Sequence, residues 1–239
     1  MTTFTIDKEI VGKFPEILVG VFRVEGLERA SSALKNVDSL MQEATTTLQQ
    51  AGLNVENVSN EPRIKDWRDA YSKSGLKPST FKSSAEQLAR RLLKGQGIST
   101  PIPIVTAYCA VSAKHLAPMG GYDVERLPGQ SIALRLGNPQ SDKFTPLTGK
   151  AEEMPITPSV PVYAIGPEVI CWAFNFRDSA NTCLTEATKN AVFFSEAVTT
   201  QQQEAAKNGL LELKNLLSTS GAITSEVKFA SAQNPDLEL

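Results

Sequence analysis

Pro101–Asp123 reads PIPIVTAYCAVSAKHLAPMGGYD, a helix-patterned segment that runs straight into a doubled glycine. Ile104, Tyr108, Val111 and His115 fall at helical spacing, and so do Val105, Cys109, Ser112 and Leu116. Two adjacent stripes therefore mix apolar groups with a phenol, a thiol, a hydroxyl and the chain's only imidazole, more polar groups than a purely structural helix needs. The pattern predicts a helix that walls a pocket. After Pro118 stops it, Gly120-Gly121 is expected to form a loop with backbone angles closed to other residues, so that main-chain N–H groups approach a ligand directly. Tyr122 and Asp123 then supply a ring and an acid. The other reading of the same pattern is a buried helix ending in an ordinary proline-glycine turn.

Upstream, Ile17–Val24 is a β-branched run fit for a buried strand, ended by Gly26. From Ser31 to Gln50, Ala33, Val37, Leu40, Ala44 and Leu48 mark one face of an amphipathic helix with Gly52 as its C-terminal cap. A second helix starts near Pro62, with Ile64, Trp67 and Tyr71 inward as core anchors and Gly75 at its end. A third opens at Ser83, where Ser83-x-x-Glu86 has capping-box form, and runs to Gly95. Three helices are thus expected before the central stretch.

Downstream, Ser131–Leu136 alternates like a half-exposed strand. Val160–Ile165 and Val169–Phe174 flank Gly166-Pro167 as a hairpin despite Pro161. Gly137–Pro158 reads as a long polar loop and Asn190–Phe194 as a further strand. Thr200-x-x-Gln203 resembles a capping box, opening a helix through Ala206, Leu210, Leu213 and Leu217 despite Gly209. These elements predict one α/β (α+β) domain over residues 1–239, a mixed β-sheet flanked by helices, with its core at about 14–220 and a frayed tail at 221–239.

The 239 residues are enough to bury a sizeable core, and 41% hydrophobic with 21% charged residues is ordinary globular usage. The N-terminus carries charges where a signal peptide needs an apolar core, and no apolar run approaches membrane-spanning length. Cys109, Cys171 and Cys183 form no CxxC pair, which suits a reducing, cytoplasmic compartment. With one histidine and no short cysteine spacing, no metal site is expected, and neither a phosphate-binding P-loop nor a G-x-S-x-G elbow is present. Cys109 and His115, six residues apart on one helix, point about 120° away from each other, so Cys109 is read as a pocket-lining thiol rather than a nucleophile. Charge is uneven. Arg63–Lys94 holds nine Lys and Arg against three acids, a net of +6 on a chain of net −2, and such a segment suits an RNA backbone as well as a pair of solvated helix faces.

Several pieces in order carry a family resemblance: Trp67-Arg-Asp-Ala-Tyr71, Leu88-x-Arg90-Arg91, Val105-x-x-Tyr108-x-Ala-Val-Ser112, Pro118-Met-Gly-Gly-Tyr-Asp123, Ile132-x-Leu-Arg135, and Phe176-Arg-Asp178 with Thr182, Thr185 and Thr188. Over roughly residues 14–200 the chain resembles the freestanding form of the tRNA-editing (B3/B4) domain of the bacterial phenylalanyl-tRNA synthetase β subunit. The resemblance implies hydrolysis, in trans, of the ester joining a wrong amino acid to a tRNA 3′ end, with canavanyl-tRNA(Arg) or another non-cognate aminoacyl-tRNA as substrate; the same fold also suits a non-catalytic tRNA-binding module. Gly120, Gly121 and Asp178 are the candidate catalytic residues. Tyr108, Cys109, Ser112, Tyr122, Asp123, Arg177, Thr182 and Thr185 are the candidate substrate-binding residues, and Lys82, Arg90, Arg91 and Lys94 the candidate tRNA-binding ones. A monomer acting on aminoacylated tRNA is expected, without cofactor, DNA or membrane. The synthetase domain carries histidine at the position of Gly120 and asparagine at that of Cys109. Freestanding relatives often have asparagine at the Cys109 position, aspartate at that of Thr106, and glutamate at that of Pro161. These departures imply that the synthetase's preference for tyrosine does not transfer. For a polar or cationic amino acid, Asp123 or Asp178 is the expected partner.

Overall fold

A computed structural model describes residues 2–34 and 37–239. The chain begins with β1 (Thr3–Ile6), α1 (Lys8–Lys13) and β2 (Leu18–Glu25), then α2 (Leu27–Ala33), α3 (Val37–Gln50), α4 (Pro62–Lys73) and α5 (Ser84–Leu93). The central helix α6 (Pro103–His115) leads into β3 (Met119–Asp123), followed by β4 (Ser131–Leu136), β5 (Pro161–Ile165), β6 (Glu168–Trp172), β7 (Arg177–Asp178) and β8 (Asn190–Ala197). The end of the chain forms α7 (Thr200–Thr219), β9 (Ile223–Thr224), β10 (Lys228–Ser231) and β11 (Asp236–Glu238). The mixed α/β class is as read from the sequence, but among the described residues five helices rather than three precede α6. The helix expected over Ser31–Gln50 is two, and the junction residues Lys35 and Asn36 lie outside the described residues.

Two sheets pack face to face. One has the order β11-β1-β4-β5-β6-β7, antiparallel except for the parallel β1–β4 pair. The other, β10-β2-β8-β3 with β9 also on β2, is antiparallel throughout. Because strand residues alternate faces, β8 feeds two cores. Val192 and Phe194 join Phe4, Val19, Val21 and Tyr163 between the sheets. Ala191 and Phe193 join Phe22, Tyr108, Leu210, Leu213 and Leu217 under α6 and α7. Trp67 and Tyr71 are fully buried on the inter-sheet side. The tail expected to fray is instead ordered: β10 pairs with β2 and β11 with β1, so residues on both sides of the expected 14–220 core are built into the sheets.

Local chemistry explains the boundaries. Glu61 caps α4 by accepting from Ile64 N, ahead of Pro62 at the first turn. Ser83 accepts from Glu86 N, but the Glu86 carboxylate turns to Arg68 and Arg90, so only half of the expected capping box forms. The box at α7 forms one residue early, between Thr199 and Gln202. Gly209 is tolerated inside α7 because a Cβ there would fall 2.4 Å from Met119 Cε. Pro161 sits at the first position of β5, where its missing N–H costs no ladder bond.

The doubled glycine corrects the expectation placed on it. It forms no loop: both residues lie in β3, paired with Phe194 and Phe193 of β8, and neither has positive φ. Gly121 is required for space, since a Cβ there would lie 2.6 Å from Phe193 Cε1 and 3.1 Å from Leu184 Cδ1. At Gly120 the nearest atom is the Tyr122 hydroxyl at 3.3 Å. Gly121→Ala is therefore expected to lower stability by about 1–3 kcal/mol through overpacking, and Gly120→Ala by much less, as urea unfolding of the two variants will show.

Candidate active site

Between the sheets, under the start of α5 and the middle of α6, lies a cavity of about 180 Å³. Ser84, Gln87 and Leu88 line it from α5, Tyr108 and Cys109 from α6, and Gly120 and Tyr122 from β3. Tyr163, Cys171, Phe194 and Glu196 form its inner surface, and the segment Phe174–Asp178 together with Leu147 forms its rim. The long loop after β4 reaches this rim because Asp142 is clamped by Arg135 through two bonds of 2.8 Å, and Leu147 N donates to Asp178 O at 2.8 Å.

Two carboxyls meet here. Asp178 Oδ1 accepts from the Tyr122 hydroxyl at 3.1 Å. Burial raises the Asp178 carboxyl above its ordinary range, against the pull of Cys171, Tyr122 and Arg177. Glu196, 4% exposed, accepts from Asn175 Nδ2 at 2.7 Å through one oxygen and is bonded to the Tyr163 hydroxyl through the other. Burial pushes it up to about 7, the hydrogen bonds from Tyr163 and Asn175 pull it down, and the nearby Asp178 pushes it up again. Neither acid has a salt-bridge partner among the described residues. Arg177 stacks over Phe176 at 5.2 Å, and its buried Nε has no partner. Burial pushes the Cys109 thiol up to about 12, so it is a neutral wall group at physiological pH. His115 bonds Glu212 Oε2 at 2.7 Å and is absent from the lining, so the two form no dyad.

Among the sequence-read site residues, Tyr108, Cys109, Gly120, Tyr122, Arg177 and Asp178 converge on this cavity. The others do not line it. Gly121 faces Phe193 on the opposite side of β3. Ser112 donates to Ala117 O at 2.7 Å and secures the end of α6. Asp123 is held by Thr188 Oγ1 at 2.6 Å and Glu125 N at 3.0 Å; Thr185 N donates to the same Thr188 hydroxyl, and Thr182 O accepts from Asp123 N. The threonine-rich segment is thus a bracket around Asp123. Glu196, Asn175 and Tyr163 were not read as site residues; the available signal was an acid two residues beyond a run of strand-forming apolar residues.

The basic segment is also partly internal. Arg68 and Arg90 share the fully buried Glu86, each at 2.9 Å, Arg90 also donates to Val55 O, and Arg63 bonds Glu61 and His115 O. Lys82 Nζ bonds Ser79 O. Arg91 and Lys94 are exposed, with Arg91 Nε donating to Gly97 O at 3.1 Å. Among the described residues, no helix is long and apolar enough to cross a membrane, and no group of three or more His, Cys, Asp or Glu is placed to hold a metal ion.

The B3/4 domain family model matches residues 66–212, and the chain belongs to that family. An N-terminal fragment of the phenylalanyl-tRNA synthetase β subunit from Pyrococcus horikoshii is similar at 13% identity, with a TM-score of 0.44. The match covers 92% of this chain and 49% of that one, so the chain spans about half the fragment's length. No curated protein matches.

The raised proton affinity of Glu196 predicts how stability varies with pH. A carboxyl that binds its proton more tightly folded than unfolded adds stability that is full below its ordinary 4.5 and is lost as pH rises through about 7. At about 1.4 kcal/mol per unit, this amounts to a few kcal/mol. In urea titrations between pH 4.5 and 8, Glu196→Gln is expected to remove that part of the decline; an unchanged decline would contradict the assignment.

Proposed function

We propose that the protein is a trans-editing aminoacyl-tRNA deacylase, with canavanyl-tRNA(Arg) or another non-cognate aminoacyl-tRNA as its substrate. The observation that carries this reading is the cavity, in which an apolar wall, two acids and an unpaired guanidinium donor converge in a chain of the B3/4 family. An aminoacyl ester presents an α-ammonium, a carbonyl and a side chain. Asp178 receives the ammonium, because a buried carboxylate lacking a cation gains most from one. Arg177 donates to the carbonyl oxygen, where negative charge grows as water adds. Tyr108, Cys109, Leu88 and Phe174 contact the side chain. Because the ester is already labile, positioning a water against it supplies much of the rate, and no covalent nucleophile is required.

The tRNA body lies along the exposed part of the basic segment, on Arg91 and Lys94 at the C-terminal end of α5, with Lys82 at the other end of that helix. Arg90 serves this surface indirectly, by holding Glu86. Glycine at position 120 leaves the mouth of the cavity open beside Tyr122 and Asp178.

A deacylation screen over a panel of mischarged tRNAs tests the reading. Wild type is expected to hydrolyse at least one, and Asp178→Asn to lose about 100-fold or more in kcat/KM on it while remaining folded; tRNA binding without hydrolysis of any ester would favour the non-catalytic module. The docking surface has its own test. Arg91→Ala with Lys94→Ala is expected to weaken tRNA binding and to reduce the slope of log affinity against log salt by about 2, as two phosphate contacts are lost. An unchanged slope would place the tRNA elsewhere.

A further inference from the structure

Glu196 is built into a hydrogen-bond chain whose direction is fixed. Ser84 N, a donor that cannot reverse, bonds Asn175 Oδ1 at 3.1 Å, so the Asn175 amide must turn its Nδ2 to Glu196. The Tyr71 hydroxyl adds a contact to the same Oδ1 and donates to Ala173 O at 2.9 Å. One Glu196 oxygen is therefore held as an acceptor from Asn175, and the other meets the Tyr163 hydroxyl. A carboxylate offers about four lone-pair sites, and these two donors fill one on each oxygen, leaving capacity toward the cavity.

We propose that Glu196 is a further catalytic residue, the general base that takes the proton from the attacking water. This rests on the deacylase reading above. In the step, the water oxygen bonds to the ester carbonyl carbon while one water proton passes to the Glu196 carboxylate. Collapse of the tetrahedral intermediate breaks the bond to the ribose oxygen, and the Glu196 carboxyl returns the proton to that oxygen. The products are the free amino acid and the tRNA hydroxyl, with Glu196 again a carboxylate.

The surroundings suit this role. The groups that face Glu196 are Tyr163 on β5, Asn175 in the turn after β6, Cys171 on β6, Asp178 on β7, Tyr122 on β3 and Tyr71 on α4. All but Asp178 are neutral at pH 7, and burial holds the three phenols and the thiol protonated well above it. Asp178 is the other acid among them, its carboxyl also raised by burial, and in the proposed complex the substrate ammonium offsets its charge. Burial brings Glu196 to about 7, where about half of it is ionised at neutral pH and the carboxylate is basic enough to accept a proton. The two acids thereby divide the work, one holding substrate and the other moving a proton.

The test is the pH dependence of kcat/KM on an aminoacyl-tRNA that the wild type hydrolyses. Wild type is expected to rise about tenfold per pH unit below about 7 and then level off. Glu196→Gln keeps the shape and both hydrogen-bonding ends, and is expected to lose about 100-fold or more together with the rising limb. Tyr163→Phe keeps the base but removes a donor to its ionised form, so the midpoint is expected to move upward while activity at high pH survives; a merely structural role would not move it. A folded Glu196→Gln variant with the wild-type profile overturns the proposal and leaves the deacylase reading standing. Failure to hydrolyse any aminoacyl-tRNA overturns both.

Discussion

The turn joining β6 to β7 holds two residues in a backbone conformation that side chains resist, and the cavity depends on it. Ala173 and Phe174 have φ of 54° and 58° without being glycine. Each costs about 1–2 kcal/mol. The surroundings offset this: the Phe174 ring meets Phe14 and Trp67 edge-on at 5.2 and 5.4 Å, and Ala173 O accepts from the Tyr71 hydroxyl. The reversal also lets Phe174 N reach Pro161 O, fastening the turn to β5. Its consequence is placement. Asn175, Phe176, Arg177 and Asp178 leave the turn in sequence, so one strained reversal positions the amide, the ring, the guanidinium and the acid of the rim.

The other half of the site follows from β8. Its eight-residue ladder with β2 runs from Leu18 opposite Ala197 to Glu25 opposite Asn190, and this long pairing leaves no freedom in register. The alternation that sends Val192 and Phe194 between the sheets sends Glu196 there as well. A one-residue slip would turn the acid toward α7 and Phe193 into the cavity. The inter-sheet layer is apolar around Phe4 and Phe194, but it becomes polar at its end, where Tyr163, Asn175 and Glu196 satisfy one another. A buried carboxyl is tolerable there because its two donors arrive from separate elements whose packing is already determined.

Most of the framework was legible because its signals are local. The β-branched run of β2, the alternation of β4, the hairpin around Gly166-Pro167, the proline that opens α4 and the Ser83 cap of α5 depend on neighbours within a few positions. What was missed depends on distant contacts. Glycine signals either unusual angles or a lack of space, and only Phe193, seventy-two residues beyond Gly121 in the chain, decides for space. The turn at Ala173–Phe174 contains no glycine, so it read as continued strand. Glu196 read as lying past the end of its strand, because an acid after Phe193-Phe194-Ser195 usually marks a return to solvent. The short strands of the tail have little pattern of their own and exist through pairing with β1 and β2. Arg90 read as a phosphate ligand because sequence shows its charge, while the buried Glu86 that holds it is visible only once α4 and α5 are packed.

The same contrast separates the residues that converge on the cavity from those that do not. On α6, the polar groups that suggested a pocket wall divide between two jobs: Tyr108 and Cys109 reach the cavity, while Ser112 and His115 bond to Ala117 and Glu212. With the thiol held neutral and the imidazole turned away, α6 contributes shape and exclusion of water, and the ionisable chemistry is left to the strands. That division suits a reaction whose bond is weak already. Hydrolysis of an activated ester needs little bond-making power from the protein, but it needs the charge at the ammonium, at the carbonyl oxygen and on the water to be met at three fixed points. Asp178, Arg177 and Glu196 lie on strands or at the edge of a turn, none on a free loop, and each is held by packing that would exist without a substrate. In the proposed reaction, specificity then lies in the apolar wall and reactivity in the strand ends, so the wall can change without disturbing the groups that handle charge.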